Sequence, residues 1–81
     1  MRDLVAYLCE SIALHPDRVR VQETREGAAL VLDVSVDPED MGRIIGRQGR
    51  VIAAIRTLVR SLAPASERRV VVRVQDPQRG E

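Results

Sequence analysis

The sequence predicts an α+β fold in which a three-stranded mixed sheet is covered on one face by three helices. The first observation is the order of the apolar patterns, which run helix, strand, strand, helix, helix, strand (αββααβ) along the chain. The second is that each predicted strand has one apolar row, so one face of the sheet needs helices over it. The third is the long connection before the last strand, which leaves room for a parallel pairing.

The first element is predicted to be a helix over residues 3–14. Asp3 is a suitable N-cap residue. Pro16 ends the helix, because the residue before a proline is pushed out of helical backbone angles. One apolar stripe at helical spacing is formed by Leu4, Val5, Leu8 and Ile12.

Two strands are predicted next, over residues 18–25 and 28–36, because their apolar residues alternate. Glu26-Gly27 between them is a turn, where glycine adopts positive φ without steric cost. The short connection makes the pair a β-hairpin. One face of the second strand is apolar and consists of Leu30, Leu32, Val34 and Val36.

The second half of the chain begins with Asp37-Pro38, an N-cap residue followed by proline at the first helical position. A short helix then reaches Gly46. A longer helix is predicted from Arg50 to about Leu62, on the helical spacing of its apolar residues.

The last strand is predicted over residues 69–75. Its two faces differ: Val70, Val72 and Val74 lie on one, and Val71, Arg73 and Gln75 on the other. We expect one domain over residues 1–81, ordered over about 3–75, with a frayed tail at 76–81.

The composition predicts a folded chain, since 44% of its residues are hydrophobic and its charges nearly cancel. The formal net charge is only +1, so anion binding would depend on local clusters of positive charge. All thirteen basic residues are arginine, whose planar guanidinium offers several donors to a phosphate.

Several classes of protein are excluded by the sequence. Cys9 is the only cysteine, so no intrachain disulfide forms, and a reducing cytoplasm fits best. No signal peptide or membrane-length apolar run is visible, so we expect no membrane association. His15 is the only histidine and no Cys/His cluster has metal spacing, so we expect neither an enzyme, nor a metal, nor another cofactor.

The most informative segment is the turn Gly46-Arg47-Gln48-Gly49 between the two later helices. Its glycines allow a sharp reversal and a close approach of another backbone. The turn leads into the N-terminus of the second helix, where unpaired N–H groups and the helix dipole favour an anion. Arg43, Arg47 and Arg50 surround this point, so the sequence predicts a phosphate-binding site.

A glycine-rich corner without function is the alternative, since a lone G-x-x-G is common. The context favours the functional interpretation: Ile44-Ile45 precedes the first glycine, and both middle positions are Arg or Gln. One isoleucine can enter the core while the other lines an apolar groove.

The run Ile44-Ile45-Gly46-Arg47-Gln48-Gly49-Arg50 resembles the I-G-x-x-G signature of KH domains, and the order αββααβ is similar to their type II arrangement. Three further segments resemble the small stand-alone bacterial KH proteins of the KhpA (YlqC-like) family: residues 16–19, 37–42 and 50–56. The resemblance covers about residues 3–75. Arg47 departs from the lysine that is common at this position in that family.

The resemblance implies that single-stranded RNA is the ligand, with about four nucleotides held between the loop and a groove. It implies that the RNA backbone contacts Gly46, Arg47, Gln48 and Gly49, and that the adjacent helices contribute Arg43, Ile45, Arg50 and Val51. If the last strand edges the groove, Val71 and Arg73 join the site. Arg68 and Arg69 would then add charge near the rim, or simply form a solvated strand start.

Weak binding is expected, because Tyr7 is the only aromatic residue and lies on the first helix. We expect roughly micromolar or poorer affinity with strong salt dependence. Weak single-site binding favours linked sites, and the resemblance implies a homodimer or a heterodimer with a larger KH-containing RNA-binding protein. The role implied is that of an RNA chaperone or post-transcriptional regulator. The alternative is a dimerisation module whose contact with RNA or single-stranded DNA is incidental.

Overall fold

A computed structural model describes residues 1–65 and 69–75, and its elements follow the predicted αββααβ order. The helices and strands in chain order are α1 (Arg2–Ile12), β1 (Arg20–Glu26), β2 (Ala29–Ser35), α2 (Met41–Ile45), α3 (Arg50–Leu62) and β3 (Val70–Gln75). Short 3₁₀ turns lie at Pro16–Arg18, Pro38–Asp40 and Arg47–Gly49. The expected frayed tail and Arg68 lie outside the described residues.

The sheet is mixed and has the order β1-β2-β3. The hairpin pairs β1 with β2 antiparallel, from Arg20 opposite Ser35 to Glu26 opposite Ala29, and Gly27 takes φ +62° in the turn. Strand β3 then returns parallel to β2, with Leu30 opposite Val70. The predicted mixed sheet is therefore confirmed, and β2 is its central strand.

The core lies between one face of the sheet and the helices. The alternate residues predicted to share a face are buried together, and Leu32, Val34 and Ile44 are fully inaccessible. The other core members are Val5, Cys9, Val19, Leu30, Val36, Ile52, Ile55, Val59, Val70 and Val72. Burial raises the pKa of the Cys9 thiol to about 11, so this cysteine is a small apolar core residue and not a nucleophile.

Two element boundaries differ from the prediction by two residues, both near Pro16, and the others agree to within one residue. Helix α1 ends at Ile12, two residues early, because Leu14 and His15 donate their N–H groups to the carboxylate of Asp40. Strand β1 begins at Arg20 because the chain from Pro16 to Arg18 forms a 3₁₀ turn. No helix in the described ranges is long and apolar enough to cross a bilayer.

Candidate nucleic-acid interface

The reversal between α2 and α3 is built from left-handed backbone. Gly46 has φ +79°, Gln48 φ +57° and Gly49 φ +75°. Glycine accepts these angles at little cost, whereas Gln48 is the one non-glycine residue with positive φ in the described part of the chain. The spacing of the two glycines therefore matches the conformational demand of the turn.

Gly46 is also the point of closest approach between the turn and α3. A Cβ added there would lie 2.7 Å from the backbone nitrogen of Val51 and would overlap the Val51 side chain. Gly49 faces open space instead, so only its backbone angle favours glycine. The absence of a side chain at Gly46 lets the first turn of α3 pack directly on the end of α2.

Some backbone N–H groups of the turn have no hydrogen-bond acceptor within the described residues. Gly49 N–H donates to the Gly46 carbonyl at 3.1 Å, and Arg50 N–H donates to the Arg47 carbonyl. The N–H groups of Arg47 and Gln48 donate to no residue within 1–65 or 69–75, and no side chain caps the N-terminus of α3. Unpaired donors at the positive end of a helix are the usual setting for a bound phosphate.

Three guanidinium groups surround these donors. Arg43, Arg47 and Arg50 are all exposed, and none is within ion-pair distance of a described carboxylate. The one hydrogen bond among them joins Arg50 Nη2 to the neutral Gln48 Oε1 at 3.3 Å. Their positive charge is therefore available to an anion, which is what a phosphate site requires.

The apolar residues beside the turn divide as the sequence predicts. Ile44 is fully buried, whereas Ile45 and Val51 are half-buried and pack against the edge of the core. The predicted site residues between positions 43 and 51 thus lie together around one turn, with half-buried apolar side chains next to the exposed arginines.

Val71 and Arg73 lie elsewhere. Alternation along β3 turns the Val70 and Val72 side chains to the helices, so Val71 and Arg73 project from the helix-free face of the sheet. Arg73 donates to Asp33 Oδ1 and Glu26 Oε2, each at 3.1 Å. These carboxylates raise the pKa of Arg73. The structure does not bring this pair to the turn. Arg69 is exposed just before β3.

Arg56 on α3 contacts the neighbouring strand β3, and this contact was not predicted from the sequence. It is half-buried, and its Nε donates to the Val72 carbonyl of β3 at 3.1 Å. A signal was available in the helical spacing of Gly49, Ala53 and Arg56, which puts them on one side of α3. Its long-range contact, however, depends on where β3 packs.

Asp40 is the second residue whose role was missed. Asp40 is fully buried and accepts N–H bonds from Leu14 at 2.8 Å and His15 at 3.0 Å. Burial alone would raise the pKa of Asp40, but these hydrogen bonds, with nearby His15 and Arg43, outweigh it and lower the pKa. Asp40 thereby ties the end of α1 to the start of α2.

His15 lies beside this tie as a surface residue. Its Nε2 is 2.7 Å from Glu39 Oε1, and that hydrogen bond raises the pKa of His15. His15, Asp37 and Glu39 place one ligand atom each within 4.8 Å of one another, the spacing of a metal site. Asp37 is already engaged, however, by Arg18 at 3.1 Å and by the Glu39 N–H. The closeness of the three groups is explained by the Asp37 cap on the Glu39 N–H and by the ion pairs Arg18–Asp37 and His15–Glu39.

Comparison with known proteins identifies the family. The family model described as "KhpA/KhpB, KH domain" matches residues 2–74. An RNA-binding protein KhpA from Leifsonia xyli is 47% identical over 72 residues, which covers 89% of this chain and 92% of the relative. The protein of the same name from Halalkalibacterium halodurans is 41% identical over 76 residues, covering 94% of this chain and the whole relative.

A third relative, RNA-binding protein KhpA from Caldanaerobacter subterraneus, is 39% identical over 74 residues, or 91% of this chain and 99% of the relative. No solved structure matches the chain significantly. The predicted family, its type of fold and its non-enzymatic character are confirmed by these matches. The chain belongs to the KhpA/KhpB family of KH domains.

Proposed function

We propose that this protein binds single-stranded RNA and grips its backbone with the turn Gly46–Gly49. The observation that carries the proposal is the coincidence of two unpaired backbone N–H groups, at Arg47 and Gln48, with three exposed arginines that form no ion pair with a described carboxylate. A phosphate at this turn would accept from the N–H groups while the guanidinium groups balance its charge. The relatives that carry the name RNA-binding protein support the same ligand.

The roles of the remaining site residues follow from their burial. Arg43 and Arg50 flank the turn on α2 and α3 and add charge, while Ile45 and Val51 offer a half-buried apolar surface to the nucleotides. RNA contact by Val71 and Arg73 stays a prediction with less support. Their side chains are on the helix-free face, and Arg73 has two acidic partners.

We further propose that the protein acts with a second RNA-binding surface, as a homodimer or as a heterodimer with a larger KH-containing protein. A groove without stacking aromatics holds RNA weakly, and linking two weak sites raises their combined affinity. Exposed leucines on α3, Leu58 at 45% and Leu62 at 60%, offer apolar surface for such a contact. A cytoplasmic RNA chaperone or post-transcriptional regulator is the activity that this arrangement supports best.

The test replaces Arg47 and Gln48 by Asp together and measures RNA crosslinking, oligomeric state and melting temperature. We expect RNA crosslinking to be lost while the fold and self-association remain, because the side chains at both positions are exposed. A control with the same change in charge is Arg2→Asp with Ser11→Asp, which alters α1 and should leave crosslinking intact. Unchanged crosslinking in the turn variant would refute the site.

The same experiment addresses the alternative of a dimerisation module with incidental nucleic-acid contact. If the wild-type protein self-associates but neither RNA nor single-stranded DNA crosslinks above the background of the turn variant, the alternative is correct. If DNA and RNA of one sequence bind equally, the ligand is single-stranded nucleic acid in general.

A further inference from the structure

Outside the turn, three side chains that can ligate a metal come together from two separate segments. His15 lies in the connection between α1 and β1, and Asp37 and Glu39 lie in the connection between β2 and α2. One ligand atom of each residue, a ring nitrogen or a carboxylate oxygen, lies within 4.8 Å of the other two. His15 and Glu39 are 24 positions apart, so no local spacing in the sequence shows this cluster.

Other contacts already join the two connections. The His15 N–H donates to the carboxylate of Asp40, which is fully buried and follows Glu39 in the chain. The Asp37 carboxylate is 11% exposed, and it accepts once at each oxygen, from the Glu39 N–H and from Arg18. A carboxylate has about four lone-pair sites, so Asp37 can accept further bonds. An ion bound here would therefore find its ligands on backbone that is already in place.

The other two side chains need only a small movement to bind a cation. Nε2 of His15 and Oε1 of Glu39 are 2.7 Å apart and share a proton. Two ligands of one zinc ion are roughly 3–3.6 Å apart, since each is about 2.0–2.2 Å from the metal. The side chains of His15 and Glu39 are 37% and 73% exposed, so both have room for this adjustment.

The charge around the imidazole is negative. The carboxylates of Asp37, Glu39 and Asp40 all act on it. Two guanidinium groups offset part of this charge, Arg18 through its ion pair with Asp37 and Arg43 by acting on Asp40. Three carboxylates against two guanidinium groups leave a net attraction for a cation.

We propose that His15, Asp37 and Glu39 form a binding site for a divalent transition-metal ion such as Zn²⁺. One imidazole nitrogen with two carboxylate oxygens is a ligand set that zinc accepts, whereas Mg²⁺ and Ca²⁺ prefer oxygen ligands alone. A bound ion would join the α1–β1 connection to the β2–α2 connection and would stabilise the native state. The proposal does not depend on RNA binding at the turn.

The experiment titrates Zn²⁺, and separately Mg²⁺, into the protein near neutral pH and follows binding by calorimetry. We expect one Zn²⁺ per chain and no binding of Mg²⁺ at the same concentrations. Glu39→Gln keeps the size of the side chain but removes a charged ligand, so it should weaken Zn²⁺ binding about tenfold or more. Glu23→Gln makes the same change at an exposed glutamate on β1 and should leave the affinity unchanged.

A third variant tests the role of Asp37 as a ligand. Arg18→Gln removes the guanidinium that competes with a cation for the Asp37 carboxylate, so the affinity for Zn²⁺ should rise severalfold. An unchanged or lower affinity in this variant would overturn the proposed set of three ligands.

A second measurement needs no substitution. His15 is the only histidine, so its ring signals in NMR spectra report on the site directly. We expect Zn²⁺ to shift these signals and the amide signal of Glu39. The proposal is overturned if Zn²⁺ does not bind at about 1 mM, which corresponds to roughly −4 kcal/mol of binding free energy. It is also overturned if Mg²⁺ binds equally well, or if Zn²⁺ binds without moving the His15 ring signals.

Discussion

Two regions of this small protein use arginine in opposite ways. At the turn between α2 and α3, Arg43, Arg47 and Arg50 are exposed and make no ion pair with a described carboxylate. On the helix-free face of the sheet, Arg73 is held by Asp33 and Glu26, each at 3.1 Å. The first region keeps its positive charge for a ligand, and the second uses it to join the three strands.

This difference explains how a chain with a net charge of +1 can still present a site for a polyanion. Charges that pair within the fold cancel locally. The electrostatic potential at the turn therefore depends on the unpaired arginines there and not on the net charge of the chain. The count of arginines is therefore a poor guide to binding, whereas the partners of each one are informative.

The largest effect is expected where the geometry of the turn itself is broken. Gly46→Ala places a methyl group against Val51 in a left-handed backbone, so we expect it to abolish measurable RNA binding and to cost about 2 kcal/mol or more of stability. Gly42→Ala is the control: it adds a methyl group into open space on α2 and should be neutral or stabilising by up to ~1 kcal/mol. Urea denaturation measures the stability of the two variants, and RNA titration measures their affinity. Equal effects of the two variants would mean that the close approach at Gly46 is unimportant.

The second prediction tests the comparison directly through RNA affinity. Arg47→Gln should weaken binding about tenfold and should reduce the slope of log K against log salt by roughly 0.7, the value for one phosphate contact on a single strand. Arg73→Gln removes the same charge but should have a smaller effect, because Asp33 and Glu26 already neutralise it. Titrations at several salt concentrations distinguish the two. If Arg73→Gln weakens binding as much as Arg47→Gln, the strand residues belong to the main site.

For stability, the order of the two variants should be the opposite: Arg73→Gln should lower the melting temperature more than Arg47→Gln does. Arg73→Gln breaks two exposed ion pairs and leaves Asp33 and Glu26 close together, so we expect the melting temperature to fall by a few degrees at most. Arg47→Gln should not change it, because Arg47 makes no contact of this kind with a described residue. A melting temperature lowered by Arg47→Gln would show that the turn arginine also has a structural role.

The smallest effect is expected for the pair of His15 and Glu39, which is an ion pair only while His15 is protonated. The hydrogen bond to Glu39 raises the pKa of His15 above 6.5. The stabilisation is therefore complete below the unfolded-state pKa and is lost as the pH rises through the folded-state pKa. Between about pH 6 and pH 8, the unfolding free energy of wild type should fall slightly relative to that of His15→Gln. A constant difference between the two proteins would show that the pair carries no pH-dependent stability.

Local patterns predicted most of the fold. Alternation identified the strand faces, and the predicted bounds of α3, Arg50 to Leu62, agree with the structure. The turn was predictable because its glycines and arginines are adjacent in sequence. These features depend on the backbone angles and side chains of near neighbours, which the sequence displays directly.

The features that escaped prediction depend on contacts between distant segments. Asp40 accepts from residues 25 and 26 positions earlier, and Arg56 reaches a carbonyl 16 positions later. Alternation predicted that Arg73 shares a face with Val71, but not that Asp33 and Glu26 would lie beside it. No local pattern reports which polar group a distant strand or helix will bring into contact.

The parallel pairing of β2 with β3 also has a consequence for the kinetics of folding. Asp33 and Arg73 are paired across 40 positions, whereas the β1–β2 hairpin closes locally. Closing the longer loop costs more chain entropy than closing the hairpin. We therefore expect the hairpin to form early and β3 to dock last, so the edge that borders Arg56 is completed only in the final step of folding.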